Sequence, residues 1–194
     1  MQLIIKSFGA SILISLGCYV LLKIGTPIGP FLFSLGLLSI CYLNMNLFTG
    51  KCGFFIEDKI PIKKIIQILC VNIIAGICAG VFIRLADPSL IELAQNKVNN
   101  WSISISFFIQ SVFCGIIMFI AVAMYRKGSV LGILLGVPLF IFCGMQHSIA
   151  NSVFYGIAGF GNWIPIWLCA LGNWIGAIIM WLFYKEGKNE SRIN

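Results

Sequence analysis

Residues 103–125, ISISFFIQSVFCGIIMFIAVAMY, contain no charged side chain. A helix of about 20 residues crosses the hydrocarbon core of a bilayer, so this stretch is long enough to do so. Comparable apolar runs occupy residues 3–22, 28–44, 65–83, 130–160 and 163–184. Six such spans use most of the 194 residues and leave no soluble domain. Only 10% of the chain is charged and its mean hydropathy is +1.01, against about 25% charge in a soluble domain. The expected fold is therefore an all-α membrane protein. Residues 1–184 read as one transmembrane unit and 185–194 as a solvated cytoplasmic tail. A cleavable signal peptide accounts for one apolar run and not for the others.

The net charge of +7 does not point to nucleic acid, because the basic residues cluster at the ends of the apolar runs. They orient the chain instead. With the N-terminus inside, the inner side receives Lys6, Lys59, Lys63, Lys64, Arg126, Lys127, Lys185, Lys188 and Arg192. The outer side receives Lys23, Arg84 and Lys97. This imbalance and the even number of spans both place the two termini in the cytoplasm. The eight cysteines lie mostly inside apolar runs and form no CxxC pair. They read as small buried hydrophobes, and neither a metal nor any other cofactor is expected.

Two spans are interrupted. NMNLFTGKCG (44–53) breaks the second, and CGMQHS (143–148) breaks the fifth. VNIIAG (71–76) in the third span resembles GNWIGA (172–177) in the sixth. Three spans followed by three, with matching breaks, predict an inverted 3+3 repeat with a solute site at the breaks. Non-helical backbone in a bilayer must be buried in protein or line a watery cavity. Thr49, Gly50, Gly53 and the segment around His147 are accordingly expected near a pore axis. The half-helix ends are expected to direct free N–H groups there, which favours an anion. His147, the only histidine, is the side chain whose ordinary pKa lies nearest neutrality. Thr49 is placed to donate a hydrogen bond from the opposite half, and Asn151 to do the same or to hold the broken backbone. Glycine pairs four apart (Gly76 and Gly80, Gly132 and Gly136, Gly172 and Gly176) predict close helix contacts. Residues 84–100 form an outer connection in which Asp87-Pro88 stops a helix and turns the chain.

FSLGL (33–37) followed by NLFTG (46–50) resembles the second-helix signature of the formate/nitrite transporter family, and QHSIAN (146–151) resembles its fifth-helix signature. IAVAM (120–124) resembles a stretch of its fourth helix. The resemblance covers essentially the whole chain. It implies six membrane helices per subunit in an aquaporin-like arrangement and a homopentamer in a prokaryotic plasma membrane, each subunit with its own pore for formate, nitrite, hydrosulfide or a short monocarboxylate. It implies that Leu47, Phe48 and Thr49 belong to a flexible loop interrupting helix two. His147 becomes the central histidine, Phe33 and Phe140 the aromatic constrictions on either side, and Asn151 the asparagine after the fifth-helix break. Lys97 matches a lysine that draws anions into the outer vestibule.

The chain departs from the family pattern at several positions. Asn46 and Gln146 replace carboxylates, Lys51 stands where the family more often has asparagine, and Gly115 replaces a common asparagine. Loss of two carboxylates removes anion repulsion. Lys51 adds attraction if it faces the pore entrance, and little if it snorkels away.

The leading expectation is transport of a small monovalent anion, with or without a proton. The alternative is a channel for a small neutral solute such as ammonia, water or urea. An enzyme is not expected, because one histidine and six acids in loops and tail supply no catalytic cluster. The expected partners are the anion, membrane lipid and further copies of the chain, with no nucleic acid.

Overall fold

The computed structural model describes residues 1–190, and these form helices and no strand. The helices are α1 (Gln2–Ile24), α2 (Ile28–Tyr42), α3 (Phe48–Lys51), α4 (Ile62–Ala86), α5 (Ile91–Asn99), α6 (Ile105–Arg126), α7 (Leu131–Phe142), α8 (Ser148–Ala158) and α9 (Ile164–Glu190). A 3-10 turn, Pro88–Leu90, precedes α5. Helices α1, α4, α6 and α9 are long and apolar enough to span a membrane. At 22 residues, α6 measures about 33 Å, which matches a hydrocarbon core of about 30 Å. Their outward faces carry exposed Leu16, Phe82, Ile105 and Phe183, apolar surface that lipid can cover and water cannot.

Helices α2 and α7, at 15 and 12 residues, are too short to span alone. Each stops at a break and is followed by a second piece, α3 or α8. The two breaks share one backbone pattern. Leu43, Asn44 and Met45 donate to the carbonyls of Ser39, Cys41 and Ile40, while Cys143, Gly144 and Met145 donate to those of Leu139, Ile141 and Phe140. Asn44 and Gly144 both take positive φ, 50° and 67°, a left-handed turn that asparagine and glycine adopt most readily.

Helix α8 is buried on every side and packs against α1, α4, α5 and α9. Glycines bring its neighbours close. A Cβ on Gly80 would collide with the Val153 carbonyl, and one on Gly156 with that of Ile77, so α4 and α8 touch backbone to backbone. The α6–α9 contact works the same way, through Gly176 against the Val112 carbonyl and Gly115 against that of Asn173. Gly115, a departure from the family pattern, thus has a packing role.

Two expectations about the connections change. Residues 84–100 are largely helical: Asp87-Pro88 ends α4 as expected, but α5 then forms. Leu90, Ala94 and Val98 recur at helical spacing and are buried, so the segment docks an apolar stripe on α8. Arg84 Nη1 and Gln95 Nε2 donate to the Ile157 and Ala158 carbonyls at the end of α8, at 3.5 and 3.2 Å. Lys23 pairs with Asp87 at 2.7 Å and ties the end of α1 to the same corner. At the other terminus α9 continues through Lys185 to Glu190, within the stretch read as a tail. Arg192, counted among the inner charges, lies outside the described residues.

Candidate functional site

The two breaks meet. Thr49 Oγ1 lies 2.9 Å from His147 Nε2, and these side chains are 2% and 1% exposed. Leu47 and His147 occupy the same structural position, the residue preceding each half-helix. His147 caps α8 with its ring: the Ala150 N–H donates to Nδ1 at 3.1 Å. An Nδ1 that accepts is unprotonated, so the neutral ring carries its proton on Nε2 and donates it to Thr49 Oγ1. The Thr49 hydroxyl proton is then left for another acceptor. A second proton on the ring would sit at Nδ1 and oppose the Ala150 N–H, donor against donor.

Asn72 and Asn173 hold the breaks in place, and neither was singled out from the sequence as a site residue. The Phe48 N–H donates to Asn72 Oδ1 at 2.8 Å, and the Ser148 N–H to Asn173 Oδ1 at 2.9 Å. Asn72 Nδ2 donates to the Ser7 and Asn46 carbonyls at 2.7 and 3.1 Å. Asn173 Nδ2 donates to the Ser111 and Gln146 carbonyls, both at 2.8 Å. These asparagines are the shared polar residue of VNIIAG and GNWIGA. That repeat was the available signal, though it pointed to symmetry and not to a task. Of the half-helix N–H groups expected to be free, those of Phe48, Ser148 and Ala150 have side-chain acceptors. Asparagine caps the first N–H of each piece and His147 caps that of Ala150, because an unpaired buried donor is costly.

A cavity opens on each side of the Thr49–His147 contact. One, of about 150 Å³, is lined by Asn44, Met45, Leu47, Gly50 and Lys51 with Val122, Tyr125 and Arg126 at the end of α6. The other, of about 220 Å³, is lined by Gly144, Met145, His147, Ala150 and Asn151 with Lys97, Asn100 and Trp101 just before α6 begins. They therefore lie at opposite ends of α6.

The predicted site residues distribute between these features. Phe33, Lys97, Phe140, Gln146, His147 and Asn151 all line the Lys97 cavity. Leu47 and Lys51 line the other. Thr49 stands between them, and Phe48 is buried edge-on against Trp174, with ring centroids 5.8 Å apart. Lys97 Nζ lies 5.3 Å from the Phe154 ring. Gln146 Oε1 accepts from Asn151 Nδ2 at 3.0 Å, and Gln146 Nε2 donates to the Gly144 carbonyl at 2.9 Å. Asn46 lines neither cavity; its side chain turns to the Leu3 carbonyl at 3.5 Å.

Phe33 and Phe140 do not stand on either side of the break. Their rings meet at 6.2 Å, and Phe140 also stacks on His147 at 5.7 Å. Phe31 meets Phe142 at 6.1 Å, so α2 and α7 run antiparallel. A residue early in α2 then faces one late in α7, and both rings reach the same cavity. Trp101, Phe154, Tyr125 and Arg126 are further lining residues that sequence reasoning missed. They sit on elements other than the two breaks, so no local motif marks them. Among the described residues no group of three or more His, Cys, Asp or Glu is placed to hold a metal.

Half-helices buried among spanning helices, with a cavity on each side of their contact, define a helical membrane transport protein. The formate/nitrite transporter family matches this sequence over residues 1–185, and the chain belongs to that family. Two solved structures share its fold at 20% identity. An FNT family ion channel superposes with a TM-score of 0.71 over 95% of this chain and 89% of its own. A pentameric formate channel with formate bound does so at 0.69, over 100% of this chain and 96% of its own. Among curated proteins, none matches the sequence.

Proposed function

We propose that the chain conducts a small monovalent anion of the formate, nitrite, hydrosulfide or short-monocarboxylate class across a prokaryotic plasma membrane. The observation that carries this reading is the buried Thr49–His147 hydrogen bond between the two breaks, with one cavity on each side. The chain is read as six spans in two inverted halves within one transmembrane unit, residues 1–184, with both termini cytoplasmic. The matched break geometry and the paired Asn72 and Asn173 caps support that reading. A homopentamer is proposed from the likeness to the pentameric formate channel.

On this reading Lys97 attracts the anion into the outer cavity, and the Phe33 and Phe140 rings strip its water. A fully desolvated charge is costly, so a weak acid that can gain a proton passes more readily than a strongly hydrated ion. His147, neutral and donating from Nε2, fixes the Thr49 oxygen and leaves the threonine hydroxyl to bond the solute. Its role is to orient that donor. Gln146, in place of a carboxylate, leaves the Lys97 cavity without an acidic repulsion.

The test is flux of formate, nitrite, hydrosulfide and acetate in proteoliposomes, about one pH unit either side of the ordinary imidazole value near 6.5. Thr49→Val and His147→Ala are expected to lower anion flux about tenfold or more, the scale of one lost solute hydrogen bond with its partner left unpaired. Thr49→Ser is expected to retain it. An intact oligomer that passes ammonia or urea rapidly and none of the four anions would overturn the proposal.

A further inference from the structure

We propose that Lys51 forms a second anion-binding station, in the cavity opposite Lys97, that sets the affinity for solute arriving from the cytoplasm. This rests on the anion-conducting reading and on the orientation given with it.

Two cations line the inner cavity, Lys51 and Arg126, and their situations differ. Arg126 is committed. Its Nη1 and Nη2 donate to the two Asp58 carboxylate oxygens at 2.9 and 2.6 Å, and its guanidinium stacks on the Phe54 ring at 3.8 Å. A bidentate pair of this kind compensates the charge and fixes the plane. Lys51 belongs to neither of the ion pairs found among the described residues. It sits half-buried on α3, and its ammonium makes no ion pair among the described residues; Asp58, already bonded to Arg126, acts on it only from beyond contact distance. Asn44 and the Tyr125 phenol line the same space and supply neutral donors beside it. A single positive charge, two neutral donors and apolar walls from Leu37, Ile40 and Leu47 suit a small monoanion with a short apolar part.

The outer cavity has the same chemistry from unrelated positions. Its uncompensated cation is Lys97, on α5 in the connection before α6, while the counterpart of Lys51 after the second break is Asn151, bonded to Gln146. The cations therefore do not come from a repeated motif. Each face acquires one lysine by its own route, and each lysine opens onto a different cavity.

The experiment measures uptake of labelled formate into right-side-out and inverted membrane vesicles from the same cells. In inverted vesicles the added solute meets the Lys51 cavity first. Lys51→Gln is expected to raise the half-saturating formate concentration about five- to tenfold in inverted vesicles, the effect of one charge in partly screened water. Right-side-out vesicles should keep the wild-type value, which also shows that the variant is folded. Lys51→Arg should restore the inner-face affinity, and Lys97→Gln should give the mirror result. An unchanged half-saturation for Lys51→Gln in inverted vesicles, with saturable wild-type uptake present, would overturn this proposal alone. Wild-type vesicles that take up no anion in either orientation would overturn the transport reading and this one with it.

Discussion

The Ala150 amide decides how the His147 imidazole works. By donating to Nδ1 it leaves Nε2–H as the donor toward Thr49, so one backbone bond sets the tautomer where the two breaks meet. The residue that sets the position of that backbone is Asn173, which bonds the Ser148 N–H and the Ser111 and Gln146 carbonyls together. Replacing it by leucine keeps the volume and leaves those three buried groups without this partner. At about 1 kcal/mol or more for each, Asn173→Leu is expected to cost about 3 kcal/mol and to abolish flux. Asn46→Ala is the contrast. The family pattern marks position 46 as a pathway residue, yet its side chain makes one long contact, at 3.5 Å to the Leu3 carbonyl. Its removal should change stability by less than about 0.5 kcal/mol and leave anion flux near wild type. Thermal unfolding in detergent and proteoliposome flux, measured on both variants, check the pair; equal losses at the two positions would contradict this assignment.

At the level of elements, the site depends on helices that touch without side chains between them. Helix α9 carries Asn173, and its approach to α6 passes through Gly172 and Gly176, where added Cβ atoms would strike Ser111 Cβ and the Val112 carbonyl. In lipid such contacts rest on close packing, since no hydrophobic force drives the helices together. Gly176→Val must push α9 outward, and that motion draws Asn173 away from the Ser148 N–H one turn earlier. The expected result is a loss of about 1–3 kcal/mol from overpacking together with lost flux, although residue 176 lines neither cavity. Gly187→Ala is the control on the same helix, because no atom lies within 4 Å of an added Cβ there. A Gly176→Val protein with wild-type melting and flux would show that the α6–α9 contact tolerates separation.

For the whole molecule, the spans were legible because hydropathy over 20 residues is a property of the chain itself. The breaks were legible because several polar residues fall together beside glycine there, Asn44, Asn46, Thr49 and Lys51 in one and Gln146 with the lone His147 in the other. What the sequence could not show was register between distant elements. The antiparallel pairing of α2 and α7 puts Phe33 beside Phe140, and the docking of α5 on α8 puts Lys97 over the same cavity; neither follows from spacing along one strand of text. The Asn72 and Asn173 caps lay between these cases, visible as a repeat but without their targets. The same long-range arrangement separates the molecule into two compartments. Met45 and Met145 occupy matching places in the two breaks, yet the first lines the Lys51 cavity and the second the Lys97 cavity. Met45→Cys and Met145→Cys, made without the native Cys41, Cys70, Cys78 and Cys143 that are exposed or partly so, should therefore react from opposite sides. A membrane-impermeant maleimide added to intact cells should label Met145→Cys and spare Met45→Cys; inverted vesicles should show the reverse. Reversal of both patterns would place the termini outside. Labelling of either position from both faces would mean that Thr49 and His147 do not separate the cavities, and that the pathway stands open through the contact that defines it.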